Sequence, residues 1–341
     1  MKAVTITRAG APEVLKIKEY PEPKTGPDEV KIQVNAAGIN YADILARKGL
    51  YPDAPKLPTV VGYEVAGKIS ETGSNVDQFQ AGDRVVAVTR FGGYSDTVVV
   101  NTSQVFHIPD KLADAQAAAI PVNYFTAMLV VEMSALQKDE TVLIHNAGGG
   151  VGLALIDIAG KLGARILGTA SEAKHERLKE RGVDETIDYR SQDWKKELMK
   201  LTAGKGADVI FDPLGGANWK KSFSALRPTG RLGFFGVSDV TISNLFGQLK
   251  YLSLLRSMPF FTPVQLMNQN KGVFGVNLAH LWNESDKMRS FIERLIQGVE
   301  SGWVRPHLDA AFTFSEAAEA HKYIEDRKNF GKVILVPGNT R

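Results

Sequence analysis

The sequence predicts an α/β fold in which a doubly wound parallel sheet is inserted into a mainly antiparallel, barrel-like β domain. Three observations carry this expectation. Over the first ~120 residues the chain is a series of short β-branched runs separated by Gly, Pro and Asp. From about residue 114 strand-like and helix-like segments alternate, the pattern of a parallel sheet covered on both faces. Between an apolar run and a small-residue helix lies HNAGGGVG, with four glycines among residues 148 to 152.

Taken in order, the N-terminal strands are KAVTI, LKIKEY, EVKIQVNAAG, YEVAGKIS, DRVVAVT and SDTVVV, with a short helix over Tyr41 to Lys48. DAQAAAIPVNYFTAMLVVEMSAL, 114 to 136, reads as helical. The alternating strands are then TVLIHN, RILGTA, ETIDY, DVIFDPL, GRLGFFG and GVFGVNL. Between them the helices are VGLALIDIAGKLG, EAKHERLKERG, DWKKELMKLTAG and NWKKSFSALRPTG, the last reaching residue 230. The tail offers helices at 286 to 301 and 315 to 327 and a final strand, GKVILVPG, expected to pair back onto the N-terminal domain. That return divides the chain into 1–122 plus 281–341 and an inserted 123–280.

The glycine turn has a physical purpose. Glycines let the backbone turn tightly, approach a diphosphate and pack the helix close to the strand, while the helix N-terminus attracts the negative charge. The pattern is Ala147-x-Gly149-x-x-Gly152, so Gly149, Gly150, Val151 and Gly152 are candidate cofactor residues. In isolation this is only a glycine-rich turn; the strand before it, the helix after it and the further strand-helix units give it a dinucleotide meaning. The end of the next strand selects the dinucleotide. An acid there would accept from a ribose 2′-hydroxyl, whereas this chain has neutral residues from Gly168 to Ser171 and then Lys174. Ser171 and Lys174 therefore favour NADPH over NADH, with Glu172 expected to face solvent; Lys174 also reads as an ordinary solvated helix lysine.

Composition narrows the classes. The net charge is +3 with the basic residues scattered, which gives no nucleic-acid footprint. There is no cysteine, so disulfides and thiolate zinc sites are excluded. The six histidines are dispersed without ligand spacing, and no GxSxG is present. No signal peptide is apparent, and the most apolar long segment, 242 to 266, is broken by Gln248, Lys250, Arg256, Pro259 and Pro263. We expect a cytoplasmic protein with no stable membrane span.

AAGINYADILARKGLYP, VVGYEVAGKI, FQAGDRVVAV and GGYSD resemble the zinc-free quinone oxidoreductases of the medium-chain dehydrogenase/reductase superfamily. NYFTAMLV, GTASEAKHERLKERGV, DPLGG, RPHLD and KNFGKVILVPG are similar to its branch around vesicle amine transport protein. The resemblance spans essentially the whole chain. It implies a Rossmann-type sheet inserted into a GroES-like domain, and hydride delivery from NADPH to a quinone or α,β-unsaturated carbonyl. The zinc-dependent members carry Cys where this chain has Asn40 and His where it has Tyr63, so the resemblance implies no metal here.

By the same resemblance, Asn40 sits near the nicotinamide ribose, where its amide holds a hydroxyl or a substrate carbonyl; it also reads as a turn-capping Asn. Tyr41, Tyr51 and Tyr63 are candidates for the substrate cleft, each also explicable by packing. Helical spacing puts Asn40, Asp43 and Arg47 near one face, and from it Asp43 and Arg47 are expected to form a structural ion pair. Thr126 is expected near the nicotinamide, Tyr189 near the adenosine, and Phe235, Gly236 and Val237 along the cofactor at the sheet's C-terminal edge. Phe274 and Asn329 match family cofactor positions. His145, in the strand before the glycine turn, reads as structural.

Segment 245 to 267 is greasier than a connector needs and is expected to be a substrate flap, a lipid-contact surface or an interface, unless it is a buried helix pair. GVFGVNL is similar to the edge strand that pairs across a two-fold in relatives, implying a homodimer. Two other functions stay open: a nucleotide-binding scaffold or lipid-associated adaptor with little turnover, and a reductase of thioester-bound enoyl substrates.

Overall fold

The computed structural model describes residues 1–238, 257–281 and 284–338. The chain divides into two compact units. The first is Met1–Phe125 with Ala279–Gly302 and Pro306–Arg341; the second is Thr126–Leu278 with Trp303–Arg305.

In the first unit, β1 (Lys2–Ile6) lies between β2 (Leu15–Glu19) and β4 (Thr59–Val60). A larger sheet is built on β3 (Glu29–Gly38), β5 (Glu64–Thr72), β6 (Arg84–Val88), β7 (Thr97–Asn101) and β8 (Val105–His107). It is mainly antiparallel, as alternating half-buried strands favour. Near the end of the sequence β15 (Leu308–Thr313) and β16 (Lys332–Val336) join it, and β16 pairs with β3 at Ile334↔Gly38 and Leu335↔Ala37. The final strand thus returns to the N-terminal domain, as its apolar run suggested. Ile6, Val30, Ile32, Val65, Val85 and Leu335 are among the residues that fill this core.

Helix α1 (Tyr41–Arg47) starts where extended Asn40 ends β3's excursion. The Asp43 carboxylate, three residues in, reaches back to accept the Asn40 N–H at 2.8 Å. Gly49, with φ +72°, ends the turn that follows it.

The second unit holds one parallel sheet of β9 (Thr141–Ile144), β10 (Arg165–Ala170), β11 (Glu185–Asp188), β12 (Ala207–Asp212), β13 (Leu226–Phe234) and β14 (Gly272–Gly275). Its spatial order is β11-β10-β9-β12-β13-β14, so the winding reverses beside β9, where such sheets bind ligands outside their carboxyl ends. This is the Rossmann-type arrangement. Its core includes Leu143, Leu167, Trp194, Leu198, Ile210, Phe223 and Leu232.

Two helical expectations are corrected. The run from 114 is two helices, α2 (Asp114–Ala117) and α3 (Pro121–Ser134), because Pro121 has no N–H to continue a helix yet starts one well. By length and composition Asp114–Ser134 would pass for a membrane span, but 83% of its most apolar window is buried inside the fold. The helix expected to reach residue 230 stops at Ala225. Leu226 already pairs with Ala207, and Pro228, Thr229 (φ +71°) and Gly230 form an excursion before Arg231 resumes opposite Val209.

Candidate functional site

The glycine turn forms at the carboxyl end of β9. His145 to Ala147 leave the strand with Asn146 at φ +52°, and helix α4 (Gly150–Leu162) follows with Gly149 as its N-cap. Gly149 has no side chain to cap the helix, so the N–H groups of Gly150, Val151 and Gly152 have no acceptor within it. A Cβ on Gly152 would lie 2.4 Å from the Asn146 carbonyl oxygen and 2.6 Å from that of Ala147. Glycine there lets the helix start sit directly on the strand end. The uncapped N-terminus of a 13-residue helix is suited to a diphosphate.

The Ala147 N–H bonds the Thr169 carbonyl at 3.1 Å, which ties the turn to the end of β10. Ser171 then caps a short 3-10 turn, Glu172–Lys174. Ser171 and Lys174 are half-buried, and Glu172 is exposed as expected. Tyr189 follows β11 and is half-buried, with the Arg190 guanidinium 6.0 Å from its ring centre. Phe235, Gly236 and Val237 follow β13 against the loop after β12, where the Ser238 N–H bonds the Pro213 carbonyl at 2.8 Å. The sheet's carboxyl edge thus gathers Gly149–Gly152, Ser171, Lys174, Tyr189 and Phe235–Val237. Phe274 is mid-strand in β14, its ring over Gly233, where an added Cβ would meet it at 2.7 Å. Thr126 is buried on α3 in this unit. Asn329 belongs to the first unit, its amide donating to the Gly331 carbonyl at 2.9 Å.

Ser222, His145 and Asp212 meet like a nucleophilic triad but are not arranged as one. Ser222 Oγ donates to Asp212 at 2.6 Å and lies 3.2 Å from His145 Nε2, and all three are buried. Asn218 Nδ2 also donates to Asp212 at 2.7 Å. The network satisfies polar groups under the sheet, and His145 is structural.

In the first unit a second polar group surrounds Asn40. Its Nδ2 donates to Glu64 Oε1 at 2.9 Å, and its Oδ1 accepts from Lys332 Nζ at 2.7 Å. Lys332 Nζ also donates to Glu64 Oε1. Glu64 Oε2 accepts the Val122 N–H at 2.8 Å, at the start of α3. Glu64 and Lys332 are both buried.

Beside this group, Asp43 Oδ1 accepts the Gly62 N–H at 2.9 Å, and Tyr94 bonds the same carboxylate. Tyr94 Oη lies 3.2 Å from His321 Nε2. The partner of Arg47 is Glu325 at 2.8 Å, not Asp43. The expected Asp43–Arg47 pair is therefore corrected: Asp43 is committed to backbone N–H groups and Tyr94. Burial pushes the Asp43 carboxyl up to about 7 in spite of those hydrogen bonds and of Lys332. Burial, then Arg47 and Lys48, lower His321 to about 3.

Tyr63 follows Gly62 and is 7% exposed, and its hydroxyl has no partner. Its ring lies 6.1 Å from that of Tyr51, edge-on, and 5.5 Å from that of Phe91. Burial, then the charge of Asp43, raises its pKa far above that of a free phenol. Tyr41 and Tyr51 are half-buried. Glu64, Lys332 and Tyr94 escaped sequence reasoning. The available signal was Lys332 itself, a lone charge heading the apolar run VILV.

Comparison with known proteins agrees with this architecture. Residues 26–110 match the family model described as the alcohol dehydrogenase GroES-like domain, and 181–335 the model described as zinc-binding dehydrogenase. The zinc of that description finds no ligand set among the described residues. The chain has no cysteine, and among the described residues no three His, Asp or Glu side chains are grouped to hold a metal. The human synaptic vesicle membrane protein VAT-1 homolog is 34% identical over 99% of this chain and 87% of its own length. A Pseudomonas aeruginosa quinone oxidoreductase is 32% identical, over 98% of this chain and 99% of its own. The structure of Escherichia coli quinone oxidoreductase complexed with NADPH superimposes with a TM-score of 0.87 at 27% identity, covering 99% of this chain and 100% of that one. The chain belongs to the medium-chain dehydrogenase/reductase family, in the quinone-oxidoreductase group that includes the VAT-1 homologues.

Proposed function

We propose that this chain is a zinc-independent, NADPH-dependent oxidoreductase that delivers hydride to carbon of a quinone or an α,β-unsaturated carbonyl compound. The observation that carries this reading is the Tyr63 hydroxyl, buried between Tyr51 and Phe91 without a partner. An unsatisfied buried donor costs roughly 1–3 kcal/mol, which a ligand oxygen can restore. The aromatic neighbours suit a flat, electron-poor acceptor, and the quinone oxidoreductase relatives support the same class.

In this proposal the amides of Gly150, Val151 and Gly152 hold the diphosphate, which lies against Gly149, whose own N–H is taken by the Asn146 carbonyl; Ser171 and Lys174 hold the 2′-phosphate. Tyr189 borders the adenosine, Phe235, Gly236 and Val237 run alongside, and Asn40 and Thr126 meet the nicotinamide end. Phe274 and Asn329 complete the cofactor contacts. When bound, the cofactor supplies the hydride. As hydride reaches the acceptor carbon, the π electron pair moves to oxygen, and Asn40 and Tyr63 donate hydrogen bonds to that charge. Tyr63 keeps its proton because burial raises its pKa, so solvent protonates the product oxygen. Tyr41 and Tyr51 shape the acceptor's surroundings.

The protein is proposed to be a cytoplasmic homodimer paired through the edge strand β14. Residues 245–256 of the apolar segment lie outside the described residues, but beyond them Phe260, Val264 and Met267 are 86%, 64% and 74% exposed. That surface supports an interface or a peripheral lipid contact.

Mixing the purified protein with NADPH and a panel of quinones and enones, and following nicotinamide absorbance, tests the activity. Oxidation is expected, and Tyr63→Phe should lower kcat by about 100-fold, the usual loss of one oxyanion donor. Tight NADPH binding with no oxidation by any acceptor would overturn the reading and favour a nucleotide-binding scaffold or adaptor.

A further inference from the structure

The two ends of a carboxamide are nearly alike in shape and opposite in chemistry. A buried Asn can present either end to a ligand at little steric cost, so its neighbours decide which. At Asn40 they leave no choice. The Lys332 ammonium can only donate and lies 2.7 Å from Oδ1; the Glu64 carboxylate can only accept and lies 2.9 Å from Nδ2. Turning the amide over would set N–H against ammonium and carbonyl against carboxylate.

The two partners are themselves fixed. The second oxygen of Glu64 takes the Val122 N–H at 2.8 Å, and its first also takes the Lys332 ammonium. A Cβ at position 38 would stand 2.4 Å from Glu64 Oε1, so Gly38 is what allows the carboxylate its place. Lys332 begins β16, which pairs with β3 at Gly38, two residues before Asn40. An Asn side chain has two N–H donors and two lone pairs. With one of each engaged, one N–H and one lone pair remain.

We propose that Glu64 and Lys332 are positioning residues that lock the Asn40 carboxamide in a single flip, making its remaining N–H a fixed donor to the acceptor oxygen that gains charge during hydride transfer. This deepens the role given to Asn40 above and rests on it. Neither partner touches the acceptor. Their opposite charges cancel locally, so they set direction without placing a net charge beside the reacting oxygen.

The test is the double variant Glu64→Gln with Lys332→Met, which removes both buried charges together. The introduced glutamine can still accept from Val122 through its oxygen, so its own NH2 faces Asn40 and asks for the amide's oxygen. The introduced methionine, having no N–H, no longer opposes that flip. The expected results are a folded protein and a kcat about 100-fold down, with the NADPH dissociation constant changed less than about threefold. In the protein without cofactor, the Asn40 side-chain 15N–1H signals, assigned by their loss in Asn40→Ser, should shift and exchange faster with solvent. Unchanged kcat in the double variant, with a large loss in Asn40→Ser, would overturn the clamp and leave the role of Asn40 standing. Unchanged kcat in Asn40→Ser would instead overturn the role of Asn40. Should the double variant fail to fold, the parent itself carries the test: a clamped Asn40 amide should give two 15N–1H signals of unlike shift, the one facing Glu64 protected from solvent exchange. Averaged signals that both exchange rapidly would overturn the proposal.

Discussion

Asp43 and His321, joined through Tyr94, make opposite demands on the pH dependence of stability. The Asp43 carboxyl moves from 3.8 to about 7 on burial, so between those values the folded protein holds a proton that the unfolded chain releases. Its stabilising contribution is complete in acid and is lost as pH rises through about 7. His321 moves from 6.5 to about 3, so there the unfolded chain takes up the proton. Its contribution is present above 6.5 and is lost as pH falls toward about 3. Each window is a little over three pH units wide, and at ~1.4 kcal/mol per unit each group is worth roughly 4–5 kcal/mol. Where the windows overlap, from 3.8 to 6.5, the two slopes cancel.

Replacing His321 by Gln removes one half of that balance. A Gln amide nitrogen can reach the place of Nε2 near Tyr94 but does not titrate. Arg47 and Lys48, both paired with Glu325, flank the site in parent and variant alike. Subtracting the parental profile from that of His321→Gln therefore cancels all other carboxylates. The variant should lose stability relative to the parent as pH rises from about 3.8 to 6.5. The difference should approach 4 kcal/mol, on the order of 8 °C in unfolding midpoint for a chain of this size. Thermal unfolding followed by circular dichroism across that range measures it. Parallel profiles would show that His321 is not buried neutral, and the argument from burial would fail.

Two further perturbations address the cofactor side. Gly152→Ala places a methyl against two carbonyl oxygens, so α4 must back away from β9; NADPH affinity measured by fluorescence titration should fall by at least about tenfold, with overpacking costing ~1–3 kcal/mol in the unfolding midpoint. Lys174→Ala should weaken NADPH binding by about tenfold and leave NADH unchanged, the loss of one charge-assisted hydrogen bond; equal weakening of both in the same titration would place Lys174 outside the 2′-phosphate site.

What was legible in the sequence was what is local. The parallel sheet could be read because each strand and its helix follow one another, and the glycine turn because one eight-residue stretch contains strand end, turn and helix start. The helix placed through residue 230 went wrong because its pattern ran into a strand that begins at Leu226 and bulges over Pro228 to Gly230. The Asp43–Arg47 pair was inferred from helical spacing, which does not show that an acid in the first turn is already engaged by the N-cap. The Asn40 group was out of reach for a different reason. Its hydrogen bonds join residues 24, 268 and 292 positions apart, and only the pairing of β16 with β3 brings them together.

That long reach has a consequence for how the site comes into being. Glu64 and Lys332 are each buried, and either alone would be an uncompensated charge in the core, typically ~3–5 kcal/mol less favourable than the pair. The pairing of β3 with β5 places Glu64 near Asn40, but the carboxylate cannot be sealed from water at little cost without Lys332 from β16. The last strand therefore both pairs with β3 and neutralises the charge that orients Asn40. A chain lacking that strand would have to leave Glu64 open to water, which frees the amide to turn. Orientation of the proposed donor is thus conditional on closure of the first unit, which no segment read by itself could reveal.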